Sequence, residues 1–356
     1  MRIINGRLDG KEIYDVYYST GGGSLVGGGS DVWVNHWIKE IYPKLKVKSV
    51  LLIHRNRPER PSIEEQDKIF KSLNKDLDVY WQGDDLQLFG SLLNGARRIN
   101  ILHGYYAPHK YILSNKDKIH SNAVHVNVNH ALNANTKLGL KDALHFSMEP
   151  TWEADIVRYA KYPFWIGIDP PKLEKQNEQL LHIPNFYEFK HNLDVTDNNK
   201  VGFASRMETR KCPHYLQRIP SKVCTNPIDV QWWIKNLKMD TRGWKIYKFN
   251  YPMLDKFYQQ DWGISHSAHI YEPFGYSIFQ ALDYGKIPIL SRDWLEDFDY
   301  PYRAFGMHEF YSEWQRVCEV SVSARREWVF MLREYLKQKF GNKDRWVKQL
   351  LEIYNS

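Results

Sequence analysis

Short apolar runs typical of β-strands alternate with amphipathic helical stretches along almost the whole chain of 356 residues. A helix is the usual connection between neighbouring parallel strands, so this alternation favours an α/β protein with parallel sheets. Helices are predicted over residues 31–42, 62–73 and from Ser312 onward. Strands are predicted over residues 13–19, 49–54, 77–82, 98–103, 123–129, 200–205, 243–249, 261–267 and 286–291.

The pattern occurs in two halves of similar size, separated by a connection over residues 180–199 that contains proline and several asparagines. A chain of this length can bury two cores. We therefore predict two Rossmann-like domains that face each other across a cleft, over residues 1–188 and 189–335, followed by a helical segment over 336–356. Open parallel sheets bind ligands beyond the carboxyl ends of their strands, so we expect the active site in the cleft.

The composition excludes several classes of protein. An apolar fraction of 43% is typical of a folded chain, and the absence of any run of about 18 apolar residues argues against a membrane span. The first residues lack a signal-peptide pattern, and the three cysteines lack metal or disulfide spacing, so a cytoplasmic protein is expected. The net charge of +7 favours an anionic partner such as a nucleotide, a nucleic acid or a lipid surface, but fits a basic surface that only aids solubility equally well.

The segment YEPFGYSIFQALDYGKIPIL, residues 271–290, predicts a short helix over 276–284 that Gly285 ends. The N–H groups of Gly275, Tyr276 and Ser277 would then form an anion site at the helix start, and a diphosphate is its natural occupant. Glu272 lies just outside this end, where it would reach hydroxyl groups of whatever the diphosphate carries. The alternative is that Glu272 only caps the helix.

The segment VGFASRMETRKCP, residues 201–213, places two cations after a predicted strand. The planar fork of Arg206 and the ammonium of Lys211 would neutralise a diphosphate without a metal ion. The alternative is an exposed pair of loop charges, which is the commoner fate of isolated basic residues.

Two segments of the first half also carry candidates. The glycine-rich stretch STGGGSLVGGGSDVWVNHW, residues 19–37, lets the backbone approach a phosphate closely, with Gly22 and Gly23 as candidates, although it fits a lid equally well and contains no dinucleotide or P-loop motif. Ser30 or Asp31 is the expected N-cap of the helix that follows. His103 ends the strand in RINILHGYYAPHKY, where a neutral imidazole could bind a sugar hydroxyl or accept a proton, or serve only the structure.

The order and spacing of these residues resemble the GT-B retaining glycosyltransferases of family 4. The resemblance is carried by Ser205-Arg206-x4-Lys211 after one strand and by Glu272-Pro-Phe-Gly275-x4-Gln280-Ala-x3-Gly-x-Ile-Pro288 before another. It is tight over residues 200–290 and loose over 1–199. It implies the GT-B fold, with the C-terminal helix crossing back onto the first domain.

By this resemblance, Arg206 and Lys211 hold the diphosphate of a nucleotide-sugar donor, and Glu272 binds hydroxyls of the donor sugar. Gln280 stands where the family usually has a second glutamate that binds the ribose, and an amide can still make such hydrogen bonds. The catalytic candidates are Glu272, Arg206, Lys211 and His103. The donor-binding candidates are Gly22, Gly23, Asn250, Met253, Phe274, Gly275, Tyr276, Ser277 and Gln280.

The function that the resemblance implies is metal-independent transfer of a hexose, with retention, from a UDP- or GDP-sugar to a hydroxyl of a glycan or a lipid-linked sugar. The sequence Asp297-Phe298-Asp299 matches a metal-binding pattern, but we interpret it as a surface or packing feature.

Two alternatives stay open. The stretch from Tyr276 to Pro288 is also similar to DNA α-glucosyltransferases of T-even phages, and QWWIKNLKMD, with Trp232, Trp233, Lys235 and Lys238, would suit a DNA-facing surface. The tryptophan pair can equally pack a helix on its sheet. Gln280 in place of the family's usual second glutamate is compatible with a nucleotide-sugar-binding protein of weak catalytic activity.

Overall fold

The computed structural model describes the chain in two compact units, the first comprising Met1–Asn185 with Asp344–Ser356 and the second Phe186–Lys343. The sequence placed boundaries at residues 188 and 336 instead. The boundary predicted at residue 336 lies inside one continuous helix, Val322–Phe340. The break that precedes the last helix therefore comes after Phe340. The residues described are 3–4, 7–8, 12–19, 29–54, 62–82, 89–90, 92, 96–103, 111–112, 114–115, 117–120, 123–130, 159–170, 180–205, 211–226, 238–248, 251–270 and 272–356.

The first unit is built on a seven-stranded sheet whose described pairings are all parallel. A small antiparallel sheet of β1 (Ile3–Ile4), β2 (Arg7–Leu8) and β3 (Glu12–Ile13) precedes it. The strands of the large sheet are β4 (Asp15–Ser19), β5 (Ser49–His54), β6 (Val79–Gln82), β7 (Arg98–His103), β8 (Val124–Asn129), β9 (Ala160–Trp165) and β10 (Leu181–His182).

The order of this sheet is β10-β9-β8-β7-β4-β5-β6. The chain runs outward from β4 through β5 and β6, and then returns to the other side of β4 through β7. The point between β4 and β7, where the direction reverses, is where an open parallel sheet binds its ligand. Ser19 and His103, the last residues of the two strands, are register partners there.

Helix α1 (Gly29–Glu40) packs its tryptophans into the first core. Trp33 and Trp37, one turn apart on one face, are both fully buried. The prediction that Ser30 or Asp31 is the N-cap is wrong, because the helix already includes Gly29 and both residues lie in its first turn. Helix α2 (Ile63–Leu73) begins after Ser62, whose side chain forms a capping box with Glu65.

The second unit contains a six-stranded sheet in the order β13-β12-β11-β14-β15-β16, again with parallel pairings. Its strands are β11 (Val201–Ala204), β12 (Lys222–Asn226), β13 (Trp244–Lys248), β14 (Ile264–Ser267), β15 (Ile287–Ser291) and β16 (Arg303–Ala304). The direction of winding reverses between β11 and β14, so these two strands flank the switch point of this sheet.

The described residues of this unit form a 3-10 helix over Pro213–Arg218. They also form four α-helices, which are α3 (Tyr251–Tyr258), α4 (Tyr276–Asp283), α5 (Met307–Glu319) and α6 (Val322–Phe340). The predicted end of α4 at Gly285 is confirmed. Gly285 has φ of +69°, the N–H of Lys286 donates to Ala281 O, and that of Gly285 donates to Leu282 O. This is the Schellman arrangement, and it turns the chain directly into β15.

The last helix, α7 (Lys343–Tyr354), belongs with the first unit from Asp344 onward. The ring of Trp346 lies 6.4 Å from that of Trp33, and the ring of Tyr354 lies 6.2 Å from that of Trp37. The helix thus crosses back to the first core, as the family resemblance implied. Within the described residues, no helix is both long and apolar enough to span a bilayer.

Candidate active site

The candidate site of the second unit lies where β11 and β14 end. Lys211 follows β11, and Glu272 follows β14, so the two side chains approach from the strands on either side of the switch point. Carboxyl ends of parallel strands share one edge of a sheet, which explains why residues 61 positions apart meet here.

Lys211 and Glu272 form an ion pair between Lys211 Nζ and Glu272 Oε2. Their side chains are only 11% and 13% exposed, so solvent screens the pair weakly. Burial by itself would raise the pKa of the Glu272 carboxyl. The Lys211 ammonium and a hydrogen bond from His269 outweigh burial and hold that pKa well below its ordinary value. Glu272 is therefore an ionised acceptor at neutral pH.

His269 is the third member of what we call the Glu272 cluster, together with Lys211 and Glu272. Its Nδ1 lies 3.0 Å from Glu272 Oε2, and its side chain is 1% exposed. Because an ionised carboxylate can only accept, Nδ1 must carry the proton and donate it. The sequence reasoning missed this residue, although a histidine three positions before the candidate carboxylate was a visible signal.

Lys211 is positioned through its neighbour Cys212, which adopts the left-handed conformation with φ of +52°. The carbonyl oxygen of Cys212 accepts a hydrogen bond from His266 Nε2 at 2.8 Å, and Ala268 N–H donates to His266 Nδ1 at 3.3 Å. Burial and the neighbouring His269 lower the pKa of His266 far below its usual range, so it is the neutral Nε2–H tautomer. Aromatic packing fixes its ring, with Tyr215 nearly parallel at 5.8 Å and Phe310 at 4.5 Å.

The beginning of α4 borders the same cluster. Its N-cap, Gly275, has φ of +84°, and a Cβ there would lie 2.8 Å from Ile278 Cδ1 and 3.0 Å from Glu272 Cγ. Glycine is therefore needed both for the backbone conformation and for the close approach of Glu272. The first intrahelical bonds run from Ile278 and Phe279 N–H to Gly275 O, so the N–H groups of Tyr276 and Ser277 precede the ladder and can bind an anion.

The remaining candidates on this segment differ in accessibility. Phe274 is buried, stacks on Phe279 at 4.6 Å and accepts a hydrogen bond from Trp294 Nε1 through its carbonyl oxygen. Its ring belongs to the core, so any contact with a donor would come from its backbone. The Tyr276 ring is also buried, whereas Gln280, one turn further along α4, is half-buried.

Two other charged residues of the second unit, Lys286 and Asp297, have partners in the structure. Lys286 donates from Nζ to Gln260 O at 3.1 Å and Trp262 O at 2.7 Å, where it binds the carbonyls after α3. Asp297 is exposed and forms an ion pair with Lys339 of α6. The Asp-x-Asp pattern is thus engaged on the surface of the second unit, in line with its interpretation as a surface feature.

His103 lies in the other unit, at the end of β7 and beside that unit's own switch point. It is buried, and its ring lies 4.8 Å from that of His130. His130 Nε2 donates to Leu102 O at 2.9 Å, and burial lowers the pKa of His130 to about 4, so His130 is uncharged at neutral pH. The structure brings Lys211 and Glu272 together and places His103 at the corresponding edge of the first sheet.

Several predicted site residues lie outside what the structure describes. Met253 lies in α3, where only the backbone is described. The others are Gly22, Gly23, Arg206 and Asn250, together with Trp232, Trp233 and Lys235 of the proposed DNA-facing segment.

Comparison with solved structures gives the fold a precedent. HepE of Anabaena, solved in complex with UDP and glucose, superposes with a TM-score of 0.64 at 12% identity, over 95% of this chain and 98% of that chain. Sucrose-phosphate synthase of Thermosynechococcus elongatus gives a TM-score of 0.63 at 12% identity, over 96% and 98% of the two chains. Trehalose-6-phosphate synthase OtsA gives 0.59 at 8% identity, over 96% and 99%. No protein-family model and no curated protein matches the sequence.

These likenesses extend over nearly the full length of each chain compared, so they concern both units. They confirm the predicted fold class, an α/β protein with two Rossmann-like domains of the GT-B type. At such low identity the likenesses establish the fold alone, because one fold supports many activities. The chemistry depends on the residues of the Glu272 cluster.

Proposed function

We propose that this protein is a glycosyltransferase that uses a nucleotide-diphosphate sugar. The observation that carries the proposal is the buried contact of Lys211 with Glu272 at the switch point of the second sheet, directly before the helix start at Gly275. A cation, a carboxylate and a row of backbone N–H groups at one strand edge form a set that suits a diphosphate joined to a sugar.

In the proposed reaction, the diphosphate leaves with the electron pair of the bond to the anomeric carbon. Lys211, Arg206 and the N–H groups of Tyr276 and Ser277 stabilise the charge that develops on it. Protein cations thereby supply the neutralisation that a divalent ion supplies in other transferases, so we propose a metal-independent reaction. Glu272 accepts hydrogen bonds from donor-sugar hydroxyls, and Gln280 bonds the ribose.

The finer parts of the proposal concern the substrates. We propose a UDP- or GDP-hexose donor and attack by the acceptor hydroxyl on the face that the diphosphate leaves. The acceptor oxygen bonds to the anomeric carbon, its proton passes to the departing phosphate oxygen, and the anomeric configuration is retained. The acceptor is proposed to be a glycan or a lipid-linked sugar. For the DNA alternative, Lys238 is the one described residue among the two tryptophans and two lysines that suggested it, and it is an exposed residue in a turn.

A thermal-shift screen tests the donor site directly. We expect UDP, GDP or one of their hexose conjugates to raise the melting temperature, and the shift to persist in EDTA. Lys211→Met should abolish the shift, because it removes the cation. Methionine keeps a similar side-chain length, so the change in shape is small. Donor hydrolysis, measured as release of the nucleoside diphosphate, should show the same dependence.

The outcomes separate the alternatives. A shift by nucleotide sugars without hydrolysis or transfer would favour a binding protein. A shift that EDTA removes would contradict metal independence. If no nucleotide or nucleotide sugar shifts the wild type, the assignment of the Glu272 cluster to a donor fails.

A further inference from the structure

We infer that His269 is a positioning residue, which holds the Glu272 carboxylate toward the donor sugar when Lys211 turns to the diphosphate. The inference rests on the proposed function and assigns a role to a residue outside the motif that suggested it. Lys211 Nζ and His269 Nδ1 both donate to Glu272 Oε2, so the two residues share one acceptor.

The two donors leave the second carboxylate oxygen open to a ligand. Among the described residues, the hydrogen bonds to Glu272 end on Oε2, so Oε1 can accept from sugar hydroxyls. A carboxylate can accept about four hydrogen bonds, and a fixed Oε2 sets the direction of Oε1.

Lys211 cannot fix this carboxylate throughout the reaction. A diphosphate attracts the same ammonium, which reorients easily because the lysine stem is flexible. Glu272 would then be a buried carboxylate deprived of its cation and placed beside new negative charge. Such a group is destabilised unless another donor stays in place.

His269 is placed to be that donor. Its backbone N–H donates to Ser267 O at 3.0 Å, which ties it to the end of β14. Its buried ring lies 5.8 Å from His266 and edge-on to Phe203 at 6.3 Å, so it is held by packing. A histidine has two side-chain torsions against four in lysine, so the His269 bond is the more rigid of the two.

A set of variants separates positioning from general structure. In His269→Asn the amide nitrogen takes the place of Nδ1 and can restore the bond, whereas His269→Ala cannot. In His266→Ala the loop of Lys211 loosens, since the hydrogen bond to Cys212 O is lost. The probes are UDP and UDP-glucose, or GDP and GDP-glucose if guanine nucleotides shift the wild type, with affinity from calorimetry and steady-state hydrolysis of the sugar conjugate.

For His269→Ala, we expect UDP affinity within about threefold of the wild type, and a loss of about 10- to 100-fold in kcat/KM for UDP-glucose, since the lost bond is to a charged group. His269→Asn should have a kcat/KM within about threefold of the wild type. His266→Ala should weaken the binding of UDP and of UDP-glucose to the same extent. In a Glu272→Gln background, adding His269→Ala should change kcat/KM by less than about threefold.

Three results would overturn the inference. They are equal losses for UDP and UDP-glucose in His269→Ala, full activity in that variant, or an undiminished effect of His269→Ala in the Glu272→Gln background. If the wild type bound none of the nucleotides or their sugars, the proposed function would fail first and the inference with it.

Discussion

At the scale of single residues, the ion pair of Lys211 and Glu272 needs an explanation other than stability. Burying two charges costs several kcal/mol per ion, and buried pairs can often be replaced by apolar residues without loss of stability. A pair with both side chains nearly nine-tenths buried therefore points to a ligand that uses its charges. The position at the switch point of a parallel sheet gives the same indication.

The acid side of the stability profile should report on Glu272. Its pKa in the fold lies below the unfolded value of 4.5, so the stabilisation is complete above about pH 5 and is lost as the pH falls through the folded pKa. Glu272→Gln should be less stable by about 3–5 kcal/mol at pH 7, because the buried Lys211 loses its carboxylate partner. Urea unfolding of both proteins between pH 3 and 7 should show this difference shrinking below about pH 4.5.

The double variant Lys211→Met with Glu272→Leu is the control, since it removes both charges and keeps similar volumes. It should recover most of the lost stability and still fail to bind nucleotide. A pH-independent difference between wild type and Glu272→Gln would contradict the lowered pKa of Glu272.

Gly275 should be far more sensitive to substitution than another glycine with a similar positive φ. Gly275 and Gly243 have φ of +84° and +77°, but a Cβ meets Ile278 and Glu272 at the first and nothing within 4 Å at the second. Gly243→Ala should cost about 1–2 kcal/mol for the left-handed backbone. Gly275→Ala should cost about 1–3 kcal/mol more and weaken UDP-glucose binding. Equal melting temperatures for the two variants would show that the crowding at Gly275 relaxes freely.

The motif residues of the site were predictable because their chemistry is local. A carboxylate before Pro-Phe-Gly and a lysine five residues after an arginine both follow predicted strands, so their meeting at one sheet edge could be anticipated. Each motif alone left a structural role open, and the family resemblance favoured the anion site. His266 was not predictable, because a histidine in an apolar strand is no signal until β14 and the loop of Cys212 lie side by side. His269 was missed although it stands three positions before the candidate carboxylate. Phe274 was predicted to bind the donor from its place in the motif, but its ring is buried and packs in the core.

At the scale of elements, α4 and its flanking strands were the easiest to predict. Their boundaries are set by Gly275 and Gly285, two glycines with positive φ, and β15 is rich in β-branched and apolar residues. Strands β9 and β12 were not predicted. The first contains Lys161 and Pro163, and the second is short and begins with a lysine, so neither has a strand pattern of its own. Both become strands because neighbours on each side pair with them.

Lys286 joins two of these elements, and its titration should be measurable. Burial lowers its pKa to about 8, although its Nζ donates to carbonyl oxygens of Gln260 and Trp262. Between about pH 8 and 10.5 the folded state releases this proton before the unfolded state does, so stability attributable to the site rises with pH. The unfolding free energy of the wild type relative to Lys286→Met should therefore increase across this range. If the difference in unfolding free energy between the two proteins did not change with pH, the pKa of Lys286 would lie at its ordinary value.

At the scale of the whole molecule, the first unit is assembled from two distant parts of the chain. Helix α7 supplies Trp346 and Tyr354 to a core that begins at β4, where Tyr17 lies 5.4 Å from Tyr354. The carbonyl oxygen of Ile353 also accepts from His125 Nε2 at 3.2 Å. Periodicity could predict the helix but not its partner, because contacts across some 300 residues leave no local pattern. The family resemblance supplied that part of the prediction.

Trp346→Ala should therefore destabilise the first unit selectively. Trp346 is 3% exposed and packs on Trp33, so its truncation should cost about 3–5 kcal/mol. Phe330→Ala on α6 is the matched control, because that aromatic ring is 51% exposed and its loss should change stability by about 0.5 kcal/mol or less. Hydrogen exchange read by mass spectrometry should show faster exchange in β4 and α1 of Trp346→Ala, while β14 and α4 stay protected. Equal acceleration in both units would mean that they unfold as one cooperative body, and no acceleration in β4 would remove α7 from the first core.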